Sequence, residues 1–470
     1  MCSIIGYLGL ERASPVLVEG LRRMEYRGYD SAGAATLSDG VIHLKKGVGK
    51  VSEVNTAIGL DLLPGNVGIG HTRWATHGGV TTFNAHPHSS GSNEIAIVHN
   101  GIIENYLELK EELMRLGYKF RSQTDSEVIA NLLQRNYELS GDIKKSLIAT
   151  LAQLKGKYSF VALFRNGTIA AAKYHEPLVI GIGNRAYLVA SDLLGFVGKT
   201  DKVIYLDNGE FAIISSQGIL ICDFGGRPSK HELTKVSKEF ADPEKNDYIH
   251  YTLKEIYEQP STIRRAGEDA EIELQMAADL IKRSETVYLT GSGTSFNAAL
   301  IGKHLFSKYG KVKVEPLVSS ETEFAPVNFD KNSLLIALSQ SGESADVLET
   351  VSIAKHSGSH TISIVNVTTS SLARLASISI GLNCGPEIGV AATKSFTSQL
   401  GVLYKLADKL CNGCLGSDFE SLSNQISEIV TNDTIVKKIA TTIKNVSDIY
   451  ILGKGIHYFV AMESSNHRFR

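Results

Sequence analysis

A chain of 470 residues is too long for a single hydrophobic core, so two or three domains are expected. Its 48 Lys plus Arg against 50 Asp plus Glu leave a formal net charge of -2, which offers no broad basic field to nucleic acid or an anionic membrane. No apolar run has the length to span a bilayer, no basic segment precedes the short apolar stretch Ile4–Leu10, and Cys2, Cys222, Cys384, Cys411 and Cys414 follow no framework spacing. The reading is therefore a cytoplasmic protein with reduced thiols, neither membrane-bound nor secreted.

Short β-type runs separated by turns fill the first half: Cys2–Leu8, Val67–His71, Glu94–His99, Phe160–Phe164, Leu178–Ile182, Val203–Tyr205 and Phe211–Ile214. Tyr106–Leu116 and Ser126–Asn136 carry the clearest helical periodicity, so residues 1–241 read as an α+β domain. The polar stretch Lys238–Asp247, with Pro243, opens a linker expected over residues 242–265. Beyond it strands alternate with long helical stretches, which predicts a doubly wound parallel α/β domain over residues 266–430. Thr286–Thr290, Ser333–Leu338 and Thr361–Val365 are its expected central strands, each a short and nearly unbroken apolar run.

A repeat follows. Ile281-Lys282, Val287-Tyr288-Leu289 and Gly291-Ser292-Gly293 recur as Ile443-Lys444, Ile449-Tyr450-Ile451 and Gly453-Lys454-Gly455, at a constant offset (453 − 291 = 162). Both copies read as helix, strand and glycine turn, the mark of a tandem duplication. Few residues follow the second glycine turn, too few for the crossovers of a parallel sheet, so residues 431–470 are expected to be an incomplete second copy.

Chemistry begins at Cys2. Removal of Met1 would leave a thiol and a free α-amino group on one residue, with reference pKa values of about 8.5 and 7.7–8.0. The amine can then act as general base for its own side chain, directly or through one water. Three donor-rich segments accompany it: His71-Thr72-Arg73-Trp74-Ala75-Thr76-His77-Gly78, Asn84-Ala85-His86-Pro87-His88, and His99-Asn100-Gly101 at the end of a strand. An Asn amide and a Gly backbone N–H suit an oxyanion. Arg73 can grip a carboxylate through its fork, and Asp125 can pair with an ammonium. His77, His86, His88 and His99 match no standard metal spacing and have no cysteine partner, so no metal and no cofactor is expected.

Two later turns suit phosphate. Gly291-Ser292-Gly293-Thr294-Ser295 and Ser339-Gln340-Ser341-Gly342-Glu343-Ser344 each follow a strand and open a helix, where backbone N–H groups and hydroxyls favour an anion. The first is not a dinucleotide fingerprint, because Asn297 and Ala298 stand where a third glycine is expected nearby. A helix cap is the plainer role for any one of these serines. Cys411-Asn412-Gly413-Cys414 has redox-motif spacing but is read as incidental.

Together with Tyr26–Gly33 and Thr124-Asp125-Ser126-Glu127, these segments resemble glutamine–fructose-6-phosphate aminotransferase (isomerising), over nearly the whole length. The resemblance implies an N-terminal-nucleophile glutamine amidotransferase domain followed by SIS sugar-phosphate isomerase domains. It implies Cys2 as nucleophile, Asn100 and Gly101 as oxyanion hole, Arg73, Thr76, His77 and Asp125 around glutamine, and Trp74 as an ammonia gate. For the sugar phosphate it implies Thr294, Ser295, Ser339, Gln340, Ser341 and Ser344, with Val390 in the substrate loop Glu387–Lys394, and Tyr251–Pro260 as interdomain connection. The implied substrates are glutamine and fructose 6-phosphate, and the intact family enzyme is expected to be a homodimer.

The sequence departs from the family pattern at Ser3, Ser292 and Ala392 and, more deeply, near its end. Glu463 matches a family active-site glutamate, but Ser464–Arg470 leaves the family's helix. The lysine and glutamate, the histidine segment and the tail lysine of the isomerase site do not follow. Glutaminase activity without isomerisation is therefore expected of this polypeptide. An inactive sugar-phosphate-binding fragment and another class II amidotransferase are the alternatives. The latter is disfavoured, because neither an ATP-pyrophosphatase loop nor a phosphoribosyl loop is present.

Overall fold

The computed structural model describes residues 2–75, 77–236, 247–324, 327–416 and 418–466. Met1, Thr76, nearly all of the polar stretch Lys238–Asp247 and the last four residues are among those outside that set. The chain divides into two compact units, Met1–Asp242 and Pro243–Arg470.

The first unit stacks two antiparallel sheets. One has eight strands in the order Thr234–Lys235, Lys202–Tyr205, Val179–Gly183, Ala186–Ala190, Ser3–Leu8, Val67–Arg73, Ser31–Ser38 and Val41–Val48. The other has six: Gly218–Asp223, Glu210–Ser215, Ile169–Tyr174, Gly156–Phe164, Ile95–Ile103 and His88–Ser89. Strand alternation decides which side chains meet. Ala96 and Val98 face the first sheet and join Ile4 and Ile69 in one core, whereas Ile95 and Ile97 face the helix Glu127–Ser140 and pack with Ile129 and Leu133. On the far side of the first sheet, Ile5 and Gly70 receive the helix Ala13–Met24. Helix, sheet, sheet and helix are therefore layered in that order.

The second unit carries a parallel five-stranded sheet in the order Val314–Val318, Thr286–Gly291, Ser333–Ser339, His360–Val365 and Ile378–Gly381. Helices cover both faces. Leu274, Ala277, Ala278 and Ile281 form the buried stripe of Glu271–Arg283 and pack with Val287, Leu289, Leu334 and Ile336. Val347, Val351 and Ala354 of Ala345–His356 cover the opposite face at Leu335 and Ala337. Strand order reverses between Thr286–Gly291 and Ser333–Ser339, so the crevice that ligands use in such sheets lies at their carboxyl ends.

Four features differ from the sequence reading. Ile95–Ile103 runs through Asn100 instead of stopping before it, because residues 95–103 pair continuously with 156–164. Tyr251–Arg265, within the expected linker, is a helix packed on Lys394–Leu410 and Phe419–Thr431. Ile449–Ile451 forms no strand: among the described residues no strand pairs with it, and Tyr450 and Leu452 stay exposed. Cys411 and Cys414, expected as reduced thiols, are joined by a disulfide. Asn412 and Gly413 both take positive φ, which folds the chain back and brings the two Cα atoms to 5.5 Å.

Candidate active site

Alternation along two facing strands assembles the first site. Asn100 has the parity of Ala96 and Val98, and His71 and Arg73 have that of Ile69, so all three point into the space between the sheets. Cys2 enters one residue before the strand Ser3–Leu8. Its thiol accepts from the Trp74 N–H at 3.2 Å and donates to the Trp74 carbonyl at 3.6 Å. Its carbonyl oxygen accepts from Asn100 Nδ2 at 3.2 Å and from Arg27 Nε at 3.4 Å. Burial pushes the Cys2 thiol above its ordinary range, against the partly offsetting Trp74 N–H. Among the described residues no imidazole or carboxylate hydrogen-bonds to this sulfur.

Gly101 is held at φ +99°, and a Cβ there would overlap the Lys157 carbonyl oxygen, so only glycine fits. His71 Nε2 lies 3.1 Å from Asn100 Oδ1 and 3.0 Å from the His99 carbonyl. Burial holds the His71 pKa down at about 3 and keeps His86, His88 and His99 low as well. The His71 and His86 rings lie tilted at 38° with centroids 4.1 Å apart. Of the four histidines weighed as metal ligands, His86, His88 and His99 join His71 in a buried ring cluster, and His77 lies apart from it. Among the described residues the one grouping with metal-ligand spacing is Asp207, Glu210 and His231, which involves none of them.

Arg73 donates to the carbonyls of His77, Gly78 and Gly79, and so shapes the loop after its own strand. The His77 ring stands edge-on to Tyr106 at 5.6 Å. Asp125 accepts from the Ile103 N–H at 2.8 Å. Trp74 is part-exposed and packs edge-on to Tyr29 at 5.5 Å.

The second unit has a cleft of about 370 Å³ at the carboxyl ends of its strands, lined by Gly291, Ser292, Gly293, Asn297, Ser319 and Asp346 among others. Gly293, at φ +55°, turns the chain into the helix Thr294–Leu305. Thr294 Oγ1 and Asn297 Nδ2 donate to the Glu463 carboxylate at 2.9 and 2.8 Å. Ser295 Oγ accepts from Gln399, Ser339 Oγ from the Gly342 N–H and Ser341 Oγ from the Glu343 N–H. These three already serve the fold. Ser344 sits at the N-cap of Ala345–His356 and makes no side-chain capping bond, and Val390 is exposed. Glu255 accepts from the N–H groups of Ile388 and Gly389 and so anchors the loop that carries Val390.

Comparison with known proteins agrees with both halves. Residues 72–197 match the glutamine amidotransferase domain family, and residues 280–408 match the SIS domain family. The glutamine–fructose-6-phosphate aminotransferase (isomerising) of Pyrococcus horikoshii is 42% identical over 99% of this chain and 79% of its own length. The corresponding protein of Caldanaerobacter subterraneus subsp. tengcongensis is 39% identical over the same shares. This chain belongs to the glutamine–fructose-6-phosphate aminotransferase (isomerising) family. Among solved structures, the C-terminal domain of glucosamine-fructose-6-phosphate aminotransferase from Francisella tularensis is 31% identical. It covers 47% of this chain and 66% of its own, with a TM-score of 0.40.

Within this aminotransferase family fold, Cys2, Arg73, Trp74, Asn100 and Gly101 come together. Thr76 lies outside the described residues. Sequence reasoning passed over Arg27, although it stands in the quoted motif Tyr26–Gly33. It is buried, donates to the Cys2 carbonyl and pairs with Asp192 at 3.1 Å, while Tyr26 donates to the same carboxylate at 2.6 Å. The motif displayed Arg27 but not its burial; Asp192, 165 residues away, carried no local signal.

Proposed function

We propose that the first unit hydrolyses glutamine and that the ammonia converts fructose 6-phosphate to glucosamine 6-phosphate, as the names of the relatives imply. Cys2 Sγ attacks the glutamine side-chain carbonyl carbon, the C–N bond breaks, and ammonia leaves with the thiol's proton. Water then cleaves the thioester, giving glutamate and the free thiol. The α-amino group of Cys2 relays the protons once Met1 is removed. One observation carries this: a part-buried thiol whose pKa is raised has no side-chain base among its hydrogen-bond partners in the described residues, and the α-amino group freed by removal of Met1 would lie on the same residue.

Asn100 Nδ2 and the Gly101 N–H stabilise the oxyanion. Arg73, Thr76, His77 and Asp125 surround the glutamine carboxylate and ammonium, and Trp74 gates ammonia. Thr294, Ser295, Ser339, Gln340, Ser341 and Ser344 receive the phosphate, beside Val390. The protein acts in the cytoplasm as a homodimer, a reading that rests on the family. No helix among the described residues is long and apolar enough to cross a membrane. Glutamate release by wild type and Cys2→Ala tests the proposal: the variant should release none, and equal release would reject it.

A further inference from the structure

We infer that His71 is a positioning residue of the oxyanion site: its Nε2–H fixes which end of the Asn100 amide faces Cys2. The inference rests on the assignment of Asn100 proposed above.

The hydrogen-bond pattern has one consistent solution. The Cys2 carbonyl oxygen can only accept, so the Asn100 atom 3.2 Å from it must be the amide nitrogen. The other end of that amide is then Oδ1, also an acceptor, and it lies 3.1 Å from His71 Nε2. The same Nε2 lies 3.0 Å from the His99 carbonyl oxygen, a third pure acceptor. Two acceptors on one ring nitrogen require that nitrogen to carry the proton. His71 is therefore the Nε2–H tautomer, with Nδ1 bare and without a hydrogen-bond partner among the described residues.

This matters because an Asn side chain is nearly symmetric in shape and opposite in polarity at its two ends. A flipped amide would aim a lone pair, not an N–H, at the developing negative charge. Among the described residues the Cys2 carbonyl is the only other group that selects the productive end, and it belongs to the residue whose side chain reacts. His71 supplies a selection that does not depend on Cys2. Its own placement is rigid: it is 1% exposed and sits on a strand paired on both sides, opposite Ile4 and Gly33. Burial keeps the ring neutral through the physiological range.

The test uses the full chain and measures glutaminase kcat and KM, with the affinity of a glutamine aldehyde analogue. The Cys2 thiol would capture that analogue as a hemithioacetal, with its oxygen in the oxyanion site. His71→Phe, which has no donor, should lower kcat at least tenfold with KM within about twofold, and should weaken the aldehyde in parallel. His71→Gln, whose amide can replace the donor, should recover most of the rate. On an Asn100→Ala background, His71→Phe should cost nothing further, since the group it orients is gone. Unchanged kcat in a folded His71→Phe chain, or the same loss with and without Asn100, would overturn the inference. Should His71→Phe fail to fold, nitrogen NMR of the wild-type imidazole decides: an Nδ1–H tautomer would refute it and an Nε2–H tautomer uphold it. A Cys2→Ala chain as active as wild type would instead defeat the proposed glutaminase chemistry, which separates the two failures.

Discussion

The Asn100 side-chain amide donates to the carbonyl oxygen of Cys2 at 3.2 Å, across 98 residues of chain. This contact joins the residue that precedes Ser3–Leu8 in one sheet to Ile95–Ile103, the penultimate strand of the other. It places an amide N–H beside the residue that bears the thiol. Because both strands are buried and their alternation is fixed by core packing, a one-residue slip in either would turn the amide or the sulfur out of the site. The geometry of the proposed site and the core packing are thus set by the same register.

Gly101→Ala should damage both. The residue holds a positive φ, and a methyl group there meets the Lys157 carbonyl on the paired strand. A loss of roughly 1–3 kcal/mol in stability is expected, with glutamate release abolished. Thermal melting alongside a glutaminase assay checks this; an alanine variant with wild-type melting and activity would count against the strand geometry described.

The first unit should be acid-labile. Its buried histidines are neutral in the fold, and each takes up a proton if the chain unfolds below about pH 6.5. Stability from this source is therefore complete above pH 6.5 and falls as pH drops, down to about pH 3 for His71. Each fully linked histidine contributes a slope of about 1.4 kcal/mol per pH unit. The single tryptophan, Trp74, lies in this unit, so denaturant melts followed by its fluorescence between pH 8 and 5 isolate the effect. A flat profile would contradict it.

Glu255 should act in the opposite sense in the second unit. Burial lifts its carboxyl to about 7 from 4.5. Its contribution is present below pH 4.5 and is lost as pH rises through 7, because unfolding then releases a proton. Wild type should therefore lose stability relative to Glu255→Gln as pH rises from 5 to 8. Hydrogen exchange at Ile388 and Gly389, whose N–H groups Glu255 accepts, reports this locally. A difference that does not change with pH would be inconsistent with the assignment.

The sequence revealed most where local pattern and chemistry coincide. The apolar runs Thr286–Thr290, Ser333–Leu338 and Thr361–Val365 are central strands within a residue of their observed ends, because strands buried on both faces read as unbroken hydrophobic stretches. Ser31–Ser38 was not visible: its Ala, Gly, Ser and Thr residues carry little hydrophobic signal, and its place is set by pairing with Val67–Arg73. Val314–Val318 contains Pro316, which counts against a strand in sequence and is tolerated here because the strand lies at the sheet edge. Cys2, Asn100 and Gly101 were legible as chemistry. The roles of Arg27, Asp192 and His71 were not, since each depends on partners that only the stacked sheets bring near. The second strand of the repeat failed for the converse reason: local pattern was present, but no strand among the described residues pairs with it.

The central claim is that one residue supplies both nucleophile and base. Glutamate release should be measured on the chain beginning at Cys2 and on the same chain with Met1 retained, after both are shown to fold alike. The account predicts turnover by the first and a loss of roughly 10²–10⁴-fold in the second, the usual range for removing a positioned general base. Equal turnover by the two would contradict it.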